Sequence, residues 1–124
     1  MNKTNPAYEK AYAFAIRIVN VYKYLSHEKR EFVLSKQLLR SGTSIGANLA
    51  EANGAISDAD FSAKVSISYK ESQETKYWLN LIKDTGYLNV NSFEGLFANV
   101  DELAAILFAI LKKTRINKNK HTDK

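Results

Sequence analysis

The sequence predicts an all-α protein, an antiparallel up-down-up-down four-helix bundle. Four stretches carry apolar residues at a 3-4-3-4 spacing, the repeat of one helix face. Turns of only a few residues separate them, and short turns between long helices force antiparallel neighbours. No alternating apolar–polar run lasts long enough to make a strand, and the only proline, Pro6, lies outside every helix interior. The bundle is expected over residues 1–114, with a basic tail at 115–124 that is too polar to bury and expected to fray.

In the first helix the seam is Tyr8, Ala11, Ala15, Ile18, Tyr22 and Leu25, with Asn5 as cap and Pro6 at the first helical position. Ser26 and His27 interrupt it. The second helix is expected from about Glu28 to about Asn53, with Phe32, Leu34, Leu38, Ile45, Leu49 and Ala52 inside. Ser57 caps the third, where Asp58 and Asp60 complement the helix dipole. That helix repeats Phe61, Val65, Ser68, Ser72, Thr75, Leu79 and Ile82, so its middle layers are hydroxyls. Gly86 is placed to close it with a left-handed residue. Asn91 with Glu94 has the spacing of a capping box for the fourth helix. Its apolar set is Phe93, Leu96, Phe97, Val100, Leu103, Ala104, Leu107, Ile110 and Leu111.

The second helix carries the most informative pattern. Gly42, Gly46, Ala50 and Gly54 recur every four residues, a nearly bare stripe. A glycine inside a helix costs roughly 1 kcal/mol relative to alanine. The offsetting gain is close approach by a neighbouring helix, so the stripe is read as a packing or oligomer surface. Arg40, Asn48 and Glu51 on this helix, with Glu71 and Glu74 on the third, fall on faces that antiparallel neighbours share. They are expected to form a polar network there. Phe14, Ile16, Ile67, Tyr77 and Phe108 lie off the seams, an apolar excess that points to burial against another subunit.

The bulk numbers exclude several classes. At 124 residues the chain fits one domain, with 45% hydrophobic and 25% charged residues. With no cysteine there is no disulfide, thiolate metal site or cysteine nucleophile. No apolar run approaches the ~20 residues that span a bilayer. The start, Met1 to Pro6, lacks a signal-peptide core, so a cytoplasmic protein with no membrane partner is expected. The net charge of +5 resides in residues 112–124, which hold six Lys or Arg and one acid, while residues 1–111 balance.

Catalytic chemistry finds no support. Ser41, Thr43 and Ser44 have no histidine nearby in sequence to act as base. The Gly42 to Gly46 spacing lies within a helix and not in a strand-to-helix loop, so it cannot cradle a phosphate. Glu51, Glu71 and Glu74 are the one imaginable carboxylate metal site. Di-metal bundles, however, use Glu-x-x-His pairs, and His27 and His121 fall in a turn and in the tail. No metal, cofactor or catalytic residue is therefore assigned. Tyr8, Tyr12, Tyr22, Tyr24, Tyr69, Tyr77 and Trp78 are assigned chiefly to core packing, with base stacking as the other use of such rings.

The middle of the chain resembles a known family. Gln37-Leu-Leu-Arg-Ser-Gly-Thr-Ser-Ile-Gly-Ala-Asn-Leu-Ala-Glu-Ala52, then Phe61, then Glu71-Ser-Gln-Glu-Thr-Lys-Tyr-Trp-Leu79 resemble the 23S rRNA intervening-sequence proteins, to which the accessory protein of diversity-generating retroelements looks related. The distinctive core is Ser44, Ile45, Asn48 and Glu51. Where relatives commonly have Glu-Gly, this chain has Glu51-Ala52. The resemblance implies a small bacterial four-helix bundle, a homopentameric ring with no known enzymatic activity, and an association with RNA or a nucleic-acid enzyme. Lys112, Lys113, Arg115, Lys118 and Lys120 are the expected nucleic-acid contacts. A structural oligomer or protein-protein interaction module with no nucleic-acid role, whose lysine-rich end only solubilises, is the alternative.

Overall fold

The computed structural model describes the backbone of residues 5–122 and the side chains of residues 6–114. Four helices follow one another: α1 (Asn5–His27), α2 (Leu34–Asn53), α3 (Asp58–Asp84) and α4 (Val90–Thr122). Each packs on its neighbour in the chain, and α4 closes back onto α1. Contacts pair rising numbers on one helix with falling numbers on the next. Ala11 and Ile18 meet Gly46 and Gly42, Ser41 and Ile45 meet Thr75 and Ser68, and Tyr69 and Lys76 meet Phe108 and Asp101. Arg17 reaches the Asn99 side chain and the Gly95 carbonyl, and Lys10 reaches Glu102 at 3.6 Å. The topology is therefore the expected up-down-up-down bundle, and the described residues contain no strand.

The buried row of α1 is Ala7, Ala11, Phe14, Ile18 and Leu25. It shares Ala11, Ile18 and Leu25 with the row read from sequence but is rotated toward Phe14. Tyr8, Ala15 and Tyr22 are half-buried at its rim. Phenylalanine gains most from full burial, whereas a tyrosine at the rim keeps its hydroxyl in water. Phe14 is thus core, not surplus apolar surface.

The second helix starts later than its periodicity implied. Residues 28–33 form a connection in which Arg30 adopts a left-handed conformation, φ 55°. The Glu31 carboxylate then accepts from the backbone N–H groups of Val33, Leu34 and Ser35 at 3.1, 3.0 and 2.7 Å. These are the donors a helix start leaves unpaired. Phe32, expected inside, is exposed because it precedes this start.

The cap of α3 forms at Ser57, whose hydroxyl oxygen accepts from Asp60 N–H at 3.0 Å. Its buried row is Phe61, Val65, Ser68, Ser72, Thr75, Leu79 and Ile82, as the repeat predicted. At its far end Gly86 takes φ 88°. The Gly86 and Tyr87 N–H groups return to the Lys83 and Ile82 carbonyls at 3.0 and 3.1 Å, the five-to-two and six-to-one bonds, in that order, of a Schellman motif. The cap of α4 is Asn89, not Asn91: its side-chain oxygen accepts from Ser92 N–H at 2.8 Å. Buried Leu88 just before it fixes where the chain enters. The backbone of α4 continues as helix to Thr122, past the boundary expected at residue 114. Whether that segment frays, and the cap expected at Asn5, lie outside the described side chains.

The Glu31 carboxyl is opposed by burial, but the hydrogen bonds it accepts from Leu34, Ser35 and Val33 outweigh this and hold it below its ordinary value. A carboxyl lowered by folding stabilises the fold above the usual glutamate range, and that contribution is lost as pH falls through it. Glu31→Ala should cost about 1 kcal/mol near neutrality, as helix caps do. The difference from the parent should close in thermal melts taken below about pH 4.

Candidate functional site

The bare stripe resolves into two halves. Gly42 and Gly46 are buried against α1. A Cβ on Gly42 would lie 2.9 Å from Ile18 Cγ1 and Cγ2, closer than carbon atoms pack. On Gly46 it would meet Ala11 at 3.6 Å, an ordinary contact. Ala50 and Gly54 are exposed, and Gly54 caps the helix at φ −99°. The reason is helical geometry: a four-residue step overshoots a full turn by about 40°, so a stripe that begins under α1 winds out to solvent. The buried glycines serve packing within the chain.

On its other flank α2 meets the hydroxyl layers of α3. The Ser68 hydroxyl donates to the Ile45 carbonyl at 2.8 Å, and the Thr75 and Ser41 hydroxyls lie 3.1 Å apart. Ser72 donates within its own helix to the Tyr69 carbonyl at 2.6 Å. Each group is buried, so each needs such a partner.

The five expected network residues separate. Arg40 pairs with Glu74 at 2.9 Å, and the Trp78 indole N–H donates to the same carboxylate oxygen at 2.9 Å. Glu71 lies beside them, one carboxylate oxygen buried with no hydrogen-bond partner in the structure. Burial first, then the Glu74 charge, push its carboxyl above the usual range, and Arg40 pulls it partly back. Glu51 belongs elsewhere, paired with Lys64 at 3.0 Å. Asn48 joins neither group, its amide donating to the Ser44 carbonyl at 2.8 Å within α2. Trp78, assigned to packing from the sequence, and Lys64 were not among the five expected network residues. A tryptophan one turn after Glu74 was the available signal for the first; nothing marked the second.

Glu51 thus stands apart from Glu71 and Glu74, and the described residues hold no group of three metal-ligating side chains. Lys112 and Lys113 are exposed on α4. The side chains of Arg115, Lys118 and Lys120 lie outside the described residues. Of the off-seam apolar residues, Ile16, Ile67, Tyr77 and Phe108 are exposed and Phe14 is not.

The sequence profile of the 23S rRNA-intervening sequence proteins matches residues 3–109. The chain belongs to that family. One solved structure that it resembles is a Bacteroides thetaiotaomicron protein of the S23 ribosomal protein family, described as of unknown function and solved at 1.70 Å. The two are 48% identical, the match covers 89% of this chain and 98% of that one, and the TM-score is 0.87. Nothing among the curated proteins matches. This family member keeps the all-helical fold of its relative, and no helix among its described residues is long and apolar enough to cross a membrane.

Two predictions follow from the geometry. Gly42→Ala gains up to ~1 kcal/mol in helix propensity but drives a methyl into Ile18, so overpacking of ~1–3 kcal/mol should win and lower the melting temperature. Gly46→Ala should be neutral or stabilising, whereas Gly46→Leu should melt well below the parent. The second concerns Glu71, whose raised carboxyl means that folding penalises its charge. The parent therefore gains stability as pH falls toward the carboxylate range, and Glu71→Gln does not. At neutral pH Glu71→Gln should melt no lower than the parent, and parallel pH profiles for the two would refute the assignment. Glu74→Ala should cost only about 1 kcal/mol, since its pair with Arg40 is largely exposed.

Proposed function

We propose that the protein is a non-enzymatic, cytoplasmic homo-oligomer whose assembled surface associates with RNA or with a nucleic-acid-processing partner. The observation that carries the reading is how the side chains are spent. The Ser41, Ser68 and Thr75 hydroxyls and the Gly42 and Gly46 positions are used up inside the bundle, while Tyr12 and Ile16, one turn apart on α1, stand 58% and 51% exposed. Surface of that kind supports burial against a second copy. On the family resemblance we set the assembly at a closed ring of five.

The RNA half of the reading draws on the family's name, which refers to 23S rRNA, and on a net charge of +5 gathered at one end of the chain. Lys112, Lys113, Arg115, Lys118 and Lys120 are the proposed phosphate contacts. Several such ends on one ring would multiply a weak electrostatic contact through avidity.

Sedimentation at micromolar concentration tests the first half: an oligomer is expected, and Tyr12→Lys with Ile16→Lys should lower its mass while leaving the helical signal intact. A monomeric parent refutes assembly. Electrophoretic shifts with ribosomal RNA fragments across a salt series test the second. No shift even at low salt leaves the structural oligomer as the function.

A further inference from the structure

Residues 1–111 sum to zero charge, but the fold does not spread that balance evenly. Between Asp60 and Glu71 on α3, and between Glu102 and Asp123 on α4, the chain has no acid. Those two stretches lie side by side, since Tyr69 packs its ring 5.9 Å from that of Phe108. Lys112 sits 5.9 Å over the Phe108 ring, and Lys70 follows Tyr69 on the exposed side of α3. Among the described residues no carboxylate pairs with Lys70, Lys112 or Lys113. Glu71 points to α2, beside Arg40 and Glu74. Glu102, the nearest acid along α4, pairs with Lys10 at 3.6 Å, and Asp101 before it with Lys76 at 2.8 Å.

This positive end presents one exposed ring, and a second stands farther along α3, past Glu71 and Glu74. Phe108 is 45% exposed and Tyr77 58% exposed. Tyr77 lies two turns along α3 from Lys70, roughly 10 Å away on the same outward row. Trp78 meets it edge to face, at 4.9 Å and 77°, so an exposed ring is held in a set orientation. Rings spaced between unpaired ammonium groups fit a polyanion whose bases are free to stack. A duplex offers the charge without the free base faces, and a protein partner would not call for a surface cleared of acids.

We propose that the outer face of α3 and α4, with Lys70, Tyr77, Phe108, Lys112 and Lys113, is a binding platform for single-stranded RNA, the rings stacking bases and the lysines tracking phosphates. The proposal rests on the RNA reading above and locates it on the body of the bundle as well as at its basic end. The probe is a labelled oligouridylate, titrated by anisotropy against the full chain over a salt series. The platform predicts that Tyr77→Ala and Phe108→Ala each weaken binding about tenfold, and that Tyr77→Phe restores it. Lys70→Gln with Lys112→Gln should flatten the slope of log affinity against log salt by about 1.4. Lys23→Gln with Lys36→Gln, the same charge change on α1 and α2, should leave affinity far less altered. Phe108→Leu, which keeps apolar contact with Tyr69, should weaken binding as Phe108→Ala does, separating stacking from folding. If the parent binds and the ring and platform-lysine variants match it, the platform is wrong while RNA binding stands. Equal affinity for a duplex and the oligouridylate, with no effect of Tyr77→Ala, also overturns it. If the parent binds no RNA at low salt, platform and RNA reading fall together.

Discussion

The bundle depends on how closely α2 is allowed to lie between its two neighbours. Toward α1 it shows Gly42 and Gly46, and the Ile18 side chain occupies the space a methyl on Gly42 would need. Toward α3 it shows Ser41 and the Ile45 carbonyl, met by Thr75 and Ser68. Small side chains on both flanks bring three helices together at short range, where dispersion contacts multiply. Short range also has a requirement. A buried hydroxyl without a partner costs ~1–3 kcal/mol, so the serine and threonine layers are tolerable only because each finds an acceptor at hydrogen-bond distance. Leucines in those positions would add buried apolar area and push the helices apart.

That arrangement leaves the fourth helix with a different task. Its buried row, Leu96, Val100, Leu103, Leu107 and Leu111, is bulky, and it meets α3 through rings and lysine stems. Lys76 reaches over Phe97 and Lys83 over Phe93, at 5.8 and 4.2 Å. On its other side α4 meets α1 largely through Arg17 and Lys10. The α2–α3 junction therefore fixes register through directional bonds, while the junctions of α4 rely on area and on long, adaptable side chains.

Much of this was legible in the chain, and the failures have physical causes. The α3 row, the Ser57 cap and the Gly86 closure were readable because each rests on local chemistry. The start of α2 was not, because its capping group is Glu31, a residue type whose reach back to three N–H groups depends on the left-handed turn at Arg30. The rotation of α1 was hidden because two rows about 40° apart share Ala11, Ile18 and Leu25, and only packing within the whole bundle chooses Phe14 over Tyr8 and Tyr22. Within the candidate site, the pairing of Arg40 with Glu74 across antiparallel faces could be anticipated. The separation of Glu51 could not, since only the packed register of α2 on α3 brings Lys64, and not Arg40, to it.

Glu71 marks the point at which the seam's two requirements conflict. Arg40 already serves Glu74, and Trp78 donates to Glu74 as well, so the nearby donors converge on one carboxylate of the two. The Arg40 charge, hydrogen-bonded to Glu74, therefore offsets only part of what burial and the Glu74 charge impose on Glu71. The backbone carbonyl of Glu71, however, holds the Thr75 hydroxyl at 2.8 Å, and Thr75 in turn meets Ser41 across the junction. That chain of bonds uses the backbone at position 71, not its carboxyl. The seam's register is therefore independent of the Glu71 side chain, and its unmet oxygen burdens stability without contributing to the alignment of the helices. A carboxylate kept under those conditions is a cost the directional bonds around it are strong enough to carry.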